Sequence, residues 1–163
     1  MLTLARAFAV EAHGAQRYGT RPYADHLDEV AAILQPHGET AIAVGYLHDV
    51  LEDTAVAPDE LDRIFGELVG RCVRLLTDPP GASREARKAE TWRKLRAIPR
   101  GAPEEIALLV KTADRLANVR ACLRDDPGGK LAMYRREHQA FRAAVLRPAS
   151  DPTLWHELDQ ALA

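Results

Sequence analysis

The sequence predicts an all-α fold, a compact helical bundle. Apolar residues recur at helical spacing through most of the chain. Prolines and glycines cluster between those stretches, where helices start and stop. No segment alternates polar with apolar residues long enough to call a strand. At 163 residues, 47% apolar and 28% charged, the chain suits one domain over residues 1–163, large enough for a real core.

Each helix has a local reason. Thr3 is a candidate cap for a first helix carrying Leu4, Phe8, Ala9 and Ala12 on its apolar face. Gly14 to Pro22 reads as a loop. Asp25 can cap a second helix to about Gln35, with Leu27, Val30, Ala31 and Leu34 inward and Pro36 and Gly38 as its stop. A third helix is expected from about Thr40 to Leu51 or Asp53. Pro58 suits the first position of a short helix ending at Phe65-Gly66. Another runs from about Glu67 to Leu76. Asp78-Pro79-Pro80-Gly81 breaks the chain, Ser83 can cap the next helix, and Pro99-Arg100-Gly101 ends it. Pro103-Glu104-Glu105 places proline and acids at a positive helix end. That helix is expected to reach about Leu123, with Ile106, Leu109, Val110, Ala113 and Ala117 inward. After Asp126-Pro127-Gly128-Gly129, two helices at about 130–146 and 152–162 complete the bundle.

Composition excludes several function classes. A net charge of −2 and a pI near 6.3 give no footprint for nucleic acid or an anionic membrane surface. The longest apolar runs fall short of a membrane span, and Met1 to Arg6 does not read as a signal peptide. Cys72 and Cys122 lie in apolar helical contexts without a CxxC spacing, which reads as buried thiols in a reducing cytoplasm. A cytoplasmic protein is expected.

The chemistry concentrates in Tyr46-Leu47-His48-Asp49-Val50-Leu51-Glu52-Asp53-Thr54. At about 100° per residue, with His48 as zero, Asp49 falls near 100°, Glu52 near 40° and Asp53 near 140°. The four polar groups therefore share one side of a helix that is otherwise apolar. An imidazole beside a carboxylate can hold a divalent cation, and the next acidic pair can handle protons near it. Further candidates lie in Tyr23-Ala24-Asp25-His26, in Lys111 to Asn118 and in the Arg17/Tyr18 loop. Asp114 falls in an inward-facing stretch, where a carboxylate needs a salt bridge or a metal. Ser83, Ser150 and Cys72 have no nearby His-Asp partner, and Gly128-Gly129 lacks the spacing of a phosphate loop.

Taken in order, a His, then His-Asp-x-x-Glu-Asp, then an isolated Asp resembles the HD-domain phosphohydrolases. The branch it looks most like contains the RelA/SpoT-type alarmone hydrolases and their small single-domain relatives. The resemblance rests on Ala12-His13-x-x-Gln16-Arg17, Gly19-Thr20-x-Pro22-Tyr23-x-x-His26, Leu47-His48-Asp49-Val50-x-Glu52-Asp53-Thr54, Phe65-Gly66, Thr77, Arg87-Lys88 and Lys111-x-Ala113-Asp114-Arg115-Leu116-x-Asn118. It covers roughly residues 4 to 125.

The resemblance implies metal ligation by His26, His48, Asp49 and Asp114. Such a mixed nitrogen and oxygen set suits Mn²⁺, Fe²⁺ or Zn²⁺ better than Mg²⁺ or Ca²⁺; in the alarmone hydrolases the ion is manganese. Dinuclear HD enzymes take extra histidines from the interval after the doublet, but no histidine occurs here between His48 and His138. One metal ion is expected. By the same resemblance Glu52 and Asp53 transfer protons and position water. Arg17 and Tyr18 offer a guanidinium and an aromatic face to a base, with Asn118 beside the nucleoside and Lys111 as a further substrate-binding candidate. Arg87 and Lys88 offer charge to distal phosphates.

The implied activity is hydrolysis of a small nucleotide, with removal of the 3′-pyrophosphate of (p)ppGpp as the leading case. A phosphatase acting on 5′-nucleotides or NADPH would share the metal site, and a non-catalytic nucleotide sensor would keep the metal alone. The chain departs from the family in its short Gln16-Arg17-Tyr18-Gly19 loop. It departs again at Ala117, where His is common, and at Val119-Arg120-Ala121.

Overall fold

Helix α1 (Leu2–His13) opens a chain of helices wrapped around two central ones. The fold was read from a computed structural model that describes residues 1–81, 83–125 and 129–163. Helix α1 starts at Met1 rather than at a Thr3 cap, and no side chain caps it. Its buried stripe is Ala5, Ala9 and His13, whereas Leu4 is 52% exposed. Small residues let α1 lie close to its neighbours, so the packing phase follows alanine rather than the bulkier Leu4.

The expected loop contains a short ribbon. Strand β1 (Arg17–Tyr18) pairs antiparallel with β2 (Arg21–Pro22), Tyr18 opposite Arg21. Gly19, at φ 60°, turns the chain between them. Helix α2 (Tyr23–Ile33) then begins two residues before Asp25, which sits in its first turn. A single 3-10 turn at Gln35–His37 follows.

Helix α3 (Glu39–Leu47) is buried at Ala41, Ile42, Ala43, Val44, Gly45 and Leu47, the pattern of a helix enclosed on all sides. Helix α3 packs against both α1 and α2. Gly45 sets the approach of α2, because a Cβ there would lie 2.5 Å from Leu34 Cδ1 and 3.5 Å from Val30 Cγ1. Gly45→Val is therefore expected to destabilise the fold by about 1–3 kcal/mol through overpacking. Urea unfolding measures this, and a variant as stable as the parent would mean that α2 and α3 have slack between them.

The expected single helix over residues 40–53 is interrupted. Helix α3 ends at Leu47, and a short α4 (Val50–Asp53) follows after His48-Asp49. His48 Nδ1 bonds the Gly45 carbonyl at 2.7 Å. That carbonyl lies within the last helical turn, and a side chain inserted into the ladder there favours a break.

Helices α5 (Pro58–Phe65) and α6 (Glu67–Leu76) form a tight pair. Helix α7 (Arg84–Arg96) is capped by Ser83, whose Oγ accepts the Ala86 N–H at 3.1 Å. Helix α8 (Glu105–Asp125) is the second central helix, packed on α2, α3 and α6. Its buried face shifts from the expected one, with Ala107 and Leu108 buried and Ile106 and Leu109 half-buried. From Val110 to Ala117 every residue is buried, including Lys111, Asp114 and Arg115. The break expected at Asp126-Pro127-Gly128 lies outside the described residues. Helices α9 (Lys130–Val145) and α10 (Pro152–Leu162) pack on α8, and α10 is capped by Asp151.

Candidate functional site

The break between α3 and α4 puts His48 and Asp49 into one cluster. On a regular helix adjacent side chains diverge by about 100°. Here Asp49 adopts φ −106°, ψ −2°, and its Oδ2 lies 3.0 Å from His48 Nε2. The bond from His48 Nδ1 to the Gly45 carbonyl leaves Nε2 as the outward nitrogen. That buried atom makes no hydrogen bond of its own. This is the usual support of a metal-binding histidine, one ring nitrogen on a backbone carbonyl and the other presented.

Helix α2 contributes His26, 3% exposed. Its Nε2 lies 3.4 Å from Asp114 Oδ1 on α8, and the same oxygen is 3.6 Å from His48 Nε2. Donor atoms of His26, His48 and Asp49 lie within 4.8 Å of one another. Asp114 joins the group through its Oδ1. Its Oδ2 pairs with Lys111 Nζ at 3.0 Å, and its Oδ1 accepts Asn118 Nδ2 at 2.5 Å. The structure thus brings together all four residues expected as ligands.

Charge agrees with the geometry. Burial alone would lower the His48 pKa, but Asp49 and Asp114 outweigh it and push it up to about 10. Burial alone would raise Asp49 and Asp114. Instead His48 holds Asp49 low, and Lys111 with the two imidazoles holds Asp114 well below the usual carboxylate range. One buried carboxylate (Asp114) and one half-buried one (Asp49) call for positive charge, and a divalent cation on two nitrogens and two oxygens satisfies that demand. The donor set fits such an ion.

Tyr23, part of the Pro22-Tyr23-x-x-His26 motif, has no role that its sequence position alone assigns. The structure provides one, since its hydroxyl donates to Asp49 Oδ2 and its ring stacks on His13 at 4.4 Å. Burial and Asp49 push its pKa up, so it stays a donor. Tyr23→Phe is expected to weaken divalent-ion binding about 10–100-fold, as loss of a ligand's supporting bond does. Calorimetric titration measures this, and unchanged affinity would show that the hydroxyl does not hold Asp49.

A cavity of about 300 Å³ opens over the cluster. Glu52 and Asp53 line it beside Asp49. Glu52 Oε2 accepts the Asp78 N–H at 3.0 Å, and Asp53 Oδ2 accepts Gln16 Nε2 at 2.8 Å. Burial and nearby carboxylates raise the Glu52 pKa. The cationic wall consists of Arg84, Lys88, Lys111, Arg115 and Lys130. Arg84 and Arg115 are both held by Glu137, at 3.0 and 3.1 Å.

The expected substrate residues divide. Tyr18, Lys88, Lys111 and Asn118 line the cavity, whereas Arg17 and Arg87 do not. Arg17 donates to the Thr20 carbonyl, and Arg87 reaches towards the Gly81 carbonyl at 3.5 Å. Arg84 and Lys88, four residues apart on α7, both line the cavity, whereas the Arg87 side chain turns back to the Gly81 carbonyl. That spacing was a usable signal for Arg84. Nothing local marked Lys130 or Tyr134, which α9 brings in from far along the chain. Tyr18 stacks on His26 at 4.7 Å, and its hydroxyl donates to Asn118 Oδ1 at 2.5 Å. A second cavity of about 310 Å³, between the N-terminal ends of α8 and α10, holds none of these groups.

The HD domain family model matches residues 5–143. A guanosine-3′,5′-bis(diphosphate) 3′-pyrophosphohydrolase of Danio rerio is 36% identical over 153 residues, covering 86% of this chain and 79% of that protein. A GTP pyrophosphokinase of Brucella ovis is 36% identical over 138 residues, which is 81% of this chain and 18% of that protein. The chain therefore spans less than a fifth of that relative's length. Among solved structures, a metazoan ortholog of SpoT that hydrolyzes ppGpp and plays a role in starvation responses aligns with a TM-score of 0.80 and 25% identity, over 98% of this chain and 92% of that one. The chain belongs to the HD domain family.

Proposed function

We propose that this chain is a metal-dependent pyrophosphohydrolase that converts guanosine-3′,5′-bis(diphosphate) to GDP and pyrophosphate. One observation carries the reading: a single cavity joins the His/Asp cluster, the Glu52-Asp53 pair and a cationic wall. The names of the Danio rerio relative and the SpoT ortholog support the substrate.

His26, His48, Asp49 and Asp114 would hold one divalent ion, with Mn²⁺ proposed from the mixed donor set. When bound, such an ion supplies positive charge that polarises a phosphoryl oxygen and acidifies water. Tyr23 holds Asp49, while Lys111 and Asn118 hold Asp114. Water adds to the phosphorus next to the 3′-oxygen, the bond between them breaks, and the nucleoside oxygen takes up a proton as pyrophosphate leaves. Glu52, its pKa raised, is suited to accept the proton that the water gives up. Asp53, tied to Gln16, orients that water. Lys88, Arg84 and Lys130 meet the departing phosphates, and Tyr18 with Asn118 faces the nucleoside.

The test is direct. Mn²⁺-loaded protein incubated with ppGpp should yield equimolar GDP and pyrophosphate by ion-exchange chromatography. Preferential turnover of NADPH or a 5′-nucleotide would move the chain to a different substrate. Nucleotide binding with no turnover of any of them would sink the enzymatic reading.

A further inference from the structure

Behind the cavity wall, Asp78 joins two of its working groups without lining it. Asp78 follows α6 in the connection to α7, and its side chain is 3% exposed. One carboxylate oxygen accepts the Thr91 hydroxyl at 2.7 Å, and the other lies 2.7 Å from Lys88 Nζ. Its backbone N–H donates to Glu52 Oε2 at 3.0 Å. Lys94 ties the same connection to α7 by donating to the Thr77 carbonyl at 2.7 Å. A carboxylate this deeply buried is costly unless every oxygen is used. Here each oxygen is used, one on the α7 scaffold and one on a cation that faces the cavity.

We propose that Asp78 is a positioning residue for the hydrolysis: its side chain sets the Lys88 ammonium against the departing pyrophosphate, while its backbone N–H sets the Glu52 carboxylate. One residue thereby sets the spacing between the phosphate-binding cation and the proton-accepting group. Lys88 Nζ carries three donors. Asp78 occupies one and steers the remainder into the cavity. The inference rests on the pyrophosphohydrolase reading.

Two variants separate the two tethers. Asp78→Asn keeps one oxygen as acceptor for Thr91 and the N–H to Glu52, and puts an uncharged NH2 group in place of the oxygen opposite Lys88. It should raise KM for ppGpp about tenfold and lower kcat less. Asp78→Ala removes the Thr91 bond as well and leaves Lys94 as the remaining tie to α7, so kcat should fall about a further tenfold. A merely structural role would instead lower kcat and raise KM in proportion to lost thermal stability in both variants, and that outcome overturns the proposal.

The link to Lys88 is read without turnover, by titrating inorganic pyrophosphate into Mn²⁺-loaded protein. Asp78→Asn should weaken binding about tenfold in the parent background and leave it unchanged beside Lys88→Met. Equal losses in both backgrounds would overturn the proposal. A parent protein that fails to hydrolyse ppGpp would remove the functional reading alone, because the pyrophosphate cycle still decides whether Asp78 acts through Lys88.

Discussion

Asp49→Ala is expected to lose the divalent ion and the hydrolytic activity together. Asp49 is the carboxylate that meets His48 Nε2 at 3.0 Å and receives the Tyr23 hydroxyl. Its removal leaves both partners buried and takes away one of two negative charges that favour a cation. The polarisation supplied by a catalytic ion is worth several kcal/mol, so kcat/KM should fall by about 10³-fold or more. Metal analysis by mass spectrometry, beside initial rates and far-UV circular dichroism, separates this from unfolding. A folded variant that keeps stoichiometric metal and the parent rate would remove Asp49 from the ligand set. Its effect should exceed that of Tyr23→Phe, which removes a support and leaves the ligand.

Glu52→Gln is expected to give the opposite pattern, with metal content unchanged and kcat lowered about 10²–10⁴-fold, the usual contribution of a positioned general base. Its pH dependence carries further information. Burial raises the Glu52 pKa, with Asp78 and Asp49 acting in the same sense and the Asp78 N–H and Lys88 opposing. The base form is lost as pH falls through that raised pKa. The acid limb of kcat/KM should therefore lie above the range of an ordinary glutamate and vanish in the Gln variant. Stability runs the other way. A carboxyl whose folded pKa is raised stabilises the fold below its unfolded pKa, and this contribution is lost as pH rises through the folded one. At neutral pH Glu52→Gln should melt no lower than the parent, and a clear drop in Tm would mean that Glu52 serves packing. An unchanged rate would remove it from proton transfer.

Much of the fold was legible because helix signals are local. Pro58, Ser83 and the Pro103-Glu104-Glu105 start mark helices close to where they occur. The ribbon at Arg17–Pro22 escaped notice because strands of two residues carry no alternation to detect. The burial phase of α1 was misjudged because Leu4 is the larger apolar residue, yet alanine permits the close approach. The cavity was legible in part. Spacing on α8 put Lys111, Asp114, Arg115 and Asn118 on one face, and the structure keeps them there. The pair Arg87-Lys88 was read together because the two are adjacent in sequence. On a helix adjacent residues diverge by about 100°, and of the two only Lys88 reaches the cavity.

By itself the sequence determined the all-α class, the helix order and a short set of candidate donors around His48-Asp49. These depend on residue chemistry and on spacings within a few residues. Only the tertiary structure decided that the helix breaks at His48, so that neighbouring side chains converge instead of diverging. It alone brought Tyr23 to Asp49, Asp78 to Glu52, and Arg84 and Lys130 to the cavity wall. Those contacts join residues far apart in the chain, and they exist because burying the apolar faces of α3 and α8 leaves the charged groups one common space to occupy.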